Sequence, residues 1–169
     1  MFIMLTALSF PPSTRSIPDS NTGFEKRCVE AYYDQLEWAA NIFYIHAKDN
    51  DSWFAVDWNA TNGARLSKIG SIERFMMILN VYEATKNKTY LEWAELAFKD
   101  QIEKAWINDI PCHYDIEQDK PLYNMPTPAG GPPASSGFLQ YTIELYRLTG
   151  DEKYKIYAEK FANKIITVY

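Results

Sequence analysis

A helical hairpin occurs twice in this chain. Tyr82, Thr85, Tyr90 and Ala94 recur as Tyr146, Thr149, Tyr154 and Ala158 at a constant offset. Each set reads as a helix, a three-residue turn (Lys86-Asn87-Lys88 or Thr149-Gly150-Asp151) and a second helix. A third segment, Leu36-Glu37-Trp38-Ala39, is similar to Leu91-Glu92-Trp93-Ala94 and to Lys155-Ile156-Tyr157-Ala158. A repeated hairpin cannot bury its apolar face alone and must stack on its neighbours. The repeat therefore constrains architecture first and sends the search for function to the segments between hairpins.

Five helices are expected, over about Phe24 to His46, Leu66 to Thr85, Tyr90 to Trp106, Ser135 or Ser136 to Leu148, and Glu152 to Val168. The third carries Ala94, Ala97, Phe98 and Ile102 on one stripe and Glu92, Glu95, Lys99 and Glu103 opposite, the pattern of a half-exposed helix. The fifth repeats it. The second and fourth are apolar around most of their circumference, as in Phe75, Met76, Met77, Ile78 and Leu79, and such helices are buried. Buried and half-exposed helices alternate, which predicts an all-α fold, a partial (α/α) toroid with inner and outer layers. Residues 1–23 are rich in Pro and Ser and read as an irregular leader; residues 24–169 form one domain, an incomplete ring. The connections between hairpins are long, and both should lie at the end where the buried helices begin, the usual place for a binding site in a repeat array.

A net charge of −5 and the lack of any Lys/Arg run argue against a nucleic-acid or anionic-membrane partner. No apolar stretch is long enough to span a bilayer. Met1 to Phe10 is apolar but lacks a basic n-region and runs into Pro11-Pro12, so it is a poor signal peptide, and a cytoplasmic location is the expectation. Cys28 and Cys112 stand in no metal or redox motif and read as two buried free thiols rather than a disulfide; His46 and His113 are too scattered for zinc. Asn50, Asn59 and Asn87 begin short glycosylation sequons, which also arise by chance. Twelve Tyr, nine Phe and five Trp exceed what a core of this size usually needs, and stacking on sugar rings is one use for the excess.

Chemistry-bearing residues concentrate in the two long connections. In the first, Trp53 and Trp58 flank Asp57, a pattern suited to a carboxylate working beside stacked sugars; packing the end of the helical array is the competing use. Arg65 and Lys68 follow, expected near the start of a buried helix, where an anion can be paired; a merely solvated helix start is the competing and simpler reading. The second connection holds Cys112-His113-Tyr114-Asp115-Ile116-Glu117, then Asp119 and Tyr123. His113 can titrate near neutrality, Tyr114 or Tyr123 can act as a general acid, and Asp57 with Asp115 would be a carboxylate pair for glycoside hydrolysis. A polar surface loop is the plain alternative.

The run Ser136-Gly137-Phe138-Leu139-Gln140-Tyr141-Thr142-Ile143-Glu144-Leu145-Tyr146, preceded by Tyr123 and Pro126-Thr127-Pro128, resembles the C-terminal α/α domain of D-glucuronyl C5-epimerases. Ile110-Pro111-Cys112-His113-Tyr114-Asp115 and Leu148-Thr149-Gly150-Asp151 are similar to segments of unsaturated glucuronyl hydrolases and other six-hairpin glycosidases. The Arg-Gly-Gln motif of those hydrolases is replaced by Ile69-Gly70-Ser71. Both resemblances imply a uronic-acid-containing oligosaccharide or polysaccharide as substrate. The first implies proton removal and return at C5 without a cofactor, with Tyr114 or Tyr123 on one side of the sugar, Tyr169 on the other, and Arg65 or Lys68 at the carboxylate. A hydrolase of the second kind and a non-catalytic carbohydrate-binding or interaction module are the alternatives. A ring with fewer than six hairpins also implies a homo-oligomer or the remainder of a longer chain as partner.

Overall fold

The computed structural model describes residues 23–54, 58–59, 61–70, 75–122 and 135–168. Among these the chain is mostly helical. The helices are α1 (Gly23–Asn50), α2 (Met76–Thr85), α3 (Lys88–Lys104), α4 (Ser135–Thr149) and α5 (Glu152–Val168). Five short strands lie between them: β1 (Ile69–Gly70), β2 (Trp106–Ile107), β3 (Ile110–Pro111), β4 (His113–Asp115) and β5 (Lys120–Leu122). α2 packs on α1, α3 and α4, and α4 packs on α5, α3 and α2.

The recurrence in the sequence is a recurrence of turn chemistry. In the α2–α3 turn, the Thr85 hydroxyl donates to the Val81 carbonyl at 2.8 Å and accepts the Asn87 N–H at 3.2 Å. Lys86 sits in the left-handed region at φ 54°, and its N–H closes on the Tyr82 carbonyl at 2.7 Å. Asn87 caps α3 by accepting the Thr89 N–H. The α4–α5 turn repeats each bond. Thr149 donates to Leu145 and accepts from Asp151, the Gly150 N–H reaches the Tyr146 carbonyl at φ +70°, and Asp151 accepts the Lys153 N–H. These bonds satisfy the donors and acceptors that helix ends otherwise leave open.

Burial follows the expected division only in part. Ile143 of α4 is 57% exposed, and α3 buries Trp93, Ala94, Ala97 and Phe98 as deeply as α2 buries its own apolar residues. Phe75, Ile78, Leu79 and Val81 around α2, and Phe138, Tyr141 and Leu145 of α4, are almost completely enclosed. Phe98, Tyr154 and Phe161 of α3 and α5 close over them. The Tyr141 hydroxyl donates to the Ala94 carbonyl at 2.7 Å, possible because the small Ala94 side chain leaves that backbone accessible. Burial of Tyr141, Tyr154 and Tyr114 pushes all three phenols above their ordinary range. At the surface, Arg147 of α4 donates to Glu83 of α2 and to Glu144.

Several expectations are corrected. The helix expected from Leu66 begins as α2 at Met76, while Ile69 and Gly70 form a strand paired with β4. Helical spacing of Leu66 and Ile69 with the later apolar residues imitates a longer helix, but the backbone groups of this stretch bond across a sheet instead. Trp106, expected to end the third helix, lies in β2. Cys112 is buried and Cys28 is exposed, both as free thiols. Cys28 is exposed because α1 extends well past its neighbours: 28 residues span about 42 Å, against about 15 Å for α2. The three similar segments also differ in setting, since Trp93 is buried and Trp38 is 40% exposed. Residues 1–22 of the expected leader lie outside the described residues.

Asn87→Ala should lower stability by about 1 kcal/mol through loss of the cap, and Asp151→Ala should lower it in the same way. Urea denaturation of each variant checks this, and the loss at Asp151 is expected to be the larger because that carboxylate also pairs with Lys153.

Candidate functional site

The two long connections meet in a small antiparallel sheet with order β1-β4-β5. Ile69 pairs with Asp115 and Gly70 with Tyr114, which brings the segment after Trp58 against the acid–base cluster. His113, Tyr114 and Asp115 pair in turn with Leu122, Pro121 and Lys120. Strands this short cannot hold together by themselves. They are fixed by the C-terminal end of α3.

That end is a polar clamp. Gln101 is fully buried, and its Nε2 donates to the carbonyls of Ala105 at 2.6 Å and Cys112 at 3.1 Å. The Cys112 N–H donates to the Ala105 carbonyl at 2.8 Å. Asp100 accepts the Trp53 N–H at 2.6 Å, and Lys104 reaches both Asp100 at 3.3 Å and the Asp51 carbonyl at 2.7 Å. Both connections are thus held from one helix turn. A small apolar cluster of Phe54, Ala105, Cys112 and Tyr114 sits beneath, with Phe54 and Tyr114 stacked at 4.6 Å.

Within this frame the expected residues have definite roles. Tyr114 is buried, and its hydroxyl donates to Asp119. Burial and the adjacent carboxylate hold its pKa well above the ordinary 10.0, so the phenol stays protonated. Asp115 is also buried, and its Oδ1 accepts the N–H groups of Glu117 and Gln118, both at 3.0 Å, which builds the turn into β5. Its Oδ2 lies 3.8 Å from Lys68 Nζ, and Arg65 pairs with Glu117 at 3.4 Å. Arg65 and Lys68 therefore project from an extended segment rather than from a helix N-terminus. His113 is partly buried on β4.

The backbone of Trp58 bridges antiparallel to that of Arg65, but the rings of Trp53 and Trp58 turn to the helices. Trp53 lies among Tyr44 and Trp93, and Trp58 meets Phe43 edge-on at 4.6 Å. Both pack the helical array against the first connection. Asp57, Tyr123 and Tyr169 lie outside the described residues; among the described candidates the structure brings together Arg65, Lys68, His113, Tyr114 and Asp115, with the backbone of Trp58 beside Arg65.

Asp100 and Gln101 were not among the expected site residues, though they organise it. Gln101 falls on the apolar stripe of α3 with Ala94, Ala97 and Phe98, and a polar residue on such a stripe signals a buried hydrogen-bonding task. Among the described residues no cluster of His, Cys, Asp and Glu is arranged to hold a metal, and no helix is long and apolar enough to cross a membrane. No family model, curated protein or solved structure matches this chain.

Tyr114→Phe should lower stability at neutral pH by about 1.5–3 kcal/mol, the worth of a hydrogen bond to a charged acceptor. The raised folded pKa means that this contribution is complete below 10.0 and fades as the pH rises through the folded value. The gap between wild type and variant should therefore narrow in alkaline denaturation series.

Proposed function

We propose that this chain acts on uronic-acid-containing glycans with D-glucuronyl C5-epimerase-like chemistry, on a partial (α/α) toroid in which α2 and α4 form the inner layer. The observation that carries the reading is the pairing of β1 with β4. It sets two cations, Arg65 and Lys68, beside two carboxylates, Glu117 and Asp115, on the end of the fold where the connections meet. Lys68 keeps nearly half of its side chain exposed while lying 3.8 Å from Asp115, so a sugar carboxylate can share it.

Epimerisation breaks the C5–H bond, and the electron pair moves into the adjacent carboxylate to give an enediolate. A cation at that carboxylate stabilises the developing charge, and a proton then returns to C5 from the opposite face. Lys68 and Arg65 take the carboxylate in this scheme, and Tyr123 and Tyr169 are the acid–base pair. Tyr114 supports the site through Asp119, since a phenol held protonated is a poor base at neutral pH. Asp115 supports it through the turn amides. Their engagement also favours one second reading, a carbohydrate-binding module that uses the same cations without chemistry. The hydrolase reading is the weakest of the three, because Asp115, one half of its carboxylate pair, is committed to that turn.

Incubation with glucuronate-containing oligosaccharides in D2O separates these readings. Deuterium should enter C5, read by NMR or mass spectrometry, and Tyr123→Phe should abolish the exchange. Lys68→Ala should weaken binding by about tenfold, the scale of one charge-assisted contact. Binding without exchange selects the module, and neither binding nor exchange overturns the proposal.

A further inference from the structure

Within the first long connection a small hairpin rests on α1. Trp58 and Arg65 bridge antiparallel, and Asn59 closes the turn between them. Its N–H donates to the Ala64 carbonyl and its carbonyl accepts the Gly63 N–H, both at 2.8 Å. Its Oδ1 accepts the Thr61 N–H, also at 2.8 Å, and Asn62 Oδ1 accepts the Ala64 N–H at 3.0 Å. So short a ribbon is not stable by itself, and its place is inherited from whatever anchors it. Among the described residues it is anchored twice on α1. The Trp58 ring meets Phe43 edge-on at 4.6 Å and lies 6.4 Å from Trp38. Gly63, at φ +69°, lies against Ile42, whose Cδ1 would stand 2.6 Å from a Cβ at that position. The tip of Ile42 can swing aside, but the left-handed backbone favours glycine whatever the space.

The arm that leaves this turn carries the cations. Arg65 pairs with Glu117 at 3.4 Å. Further on, the Lys68 carbonyl accepts the Ile116 N–H at 3.0 Å, after which Ile69 and Gly70 join β4. The arm is therefore held at both ends, and the two holds divide the work. Lys68 is set by the sheet and by the Gln101 clamp behind it. Arg65 lies ahead of β1, and its backbone is set by the bridge to Trp58. A guanidinium presents its donors as a fixed planar fork, so its pairing depends on backbone placement more than that of a flexible ammonium.

We infer that Trp58 is the positioning residue for Arg65: its ring fixes the turn to α1, and its backbone sets the guanidinium against Glu117, where a ligand carboxylate would be met. Trp58 thus has a task other than the sugar stacking expected from its neighbours in sequence, since its ring is turned to Phe43. Gly63 serves the same end as the second contact of the turn with α1. The inference rests on the glycan reading for the nature of the ligand alone; the placement of Arg65 is read without one.

Solution NMR of the full chain tests this through the Arg65 Nε–H signal, assigned by its loss in Arg65→Lys. With Trp58 in place, Glu117→Gln should move the signal. In Trp58→Ala it should fall among those of mobile arginines and no longer respond to Glu117→Gln, while Trp58→Phe should keep both properties. Amide shifts of α4 and α5 show that the variants share one fold. Should Trp58→Ala not fold, Gly63→Val, strained at its positive φ, loosens the other anchor and should change the signal in the same way. Methyl β-D-glucuronide is the second probe. Trp58→Ala and Arg65→Ala should each weaken its binding by about tenfold, and the double variant should bind no more weakly than either. An Arg65 signal indifferent to Trp58→Ala, or additive weakening in the double variant, would overturn the inference. The expected Arg65 response with no glucuronide bound, even by the unaltered chain, upholds the positioning role and removes the glycan reading instead.

Discussion

The fold turns on a buried side-chain amide at the end of α3. Gln101 bridges the carbonyls of Ala105 and Cys112 from a position with no solvent exposure. Hydrogen bonds made away from water are worth most where their loss would strand the partner groups. Without Gln101, the Cys112 carbonyl loses this donor and the Ala105 carbonyl is left with the Cys112 N–H. The apolar cluster beneath the strands is small, built around Phe54, Ala105, Cys112 and Tyr114. Asp100 and Lys104 extend the clamp to Trp53 and Asp51. One turn of helix therefore holds both long connections, and through them the sheet that carries Arg65, Lys68, Tyr114 and Asp115.

The hairpins were legible in the sequence because their signals are local. Thr85 and Thr149 close their own turns, Asn87 and Asp151 cap the next helix, and the apolar stripes repeat at helical spacing. The strands were not legible, because elements of two or three residues show no alternation to read. Leu66 and Ile69 happened to continue a helical pattern, and only the bonds of Ile69 and Gly70 to Asp115 and Tyr114 place them in a sheet. The density of acid–base groups around Tyr114 was visible, but its partners were not. That Tyr114 donates to Asp119 and Asp115 accepts from the following turn depends on backbone geometry that spacing does not encode.

Physical economy links the site to the scaffold. Asp115 and Tyr114 stabilise the turn and the small core, while Lys68 keeps much of its side chain at the surface. Trp53 and Trp58, by contrast, spend their rings on Tyr44, Trp93 and Phe43. The aromatic excess of the chain is thus largely a packing excess. Much of it lies in one continuous network, including Phe98, Trp106, Phe138, Tyr157 and Phe161 at the α3–α4–α5 junction.

Amide hydrogen exchange on Gln101→Ala tests the clamp most directly. Protection should fall together at Cys112 and across His113–Asp115 and Lys120–Leu122, while the amides of α4 and α5 keep theirs. Unchanged protection in the strands would contradict the account, as would a uniform loss throughout the chain.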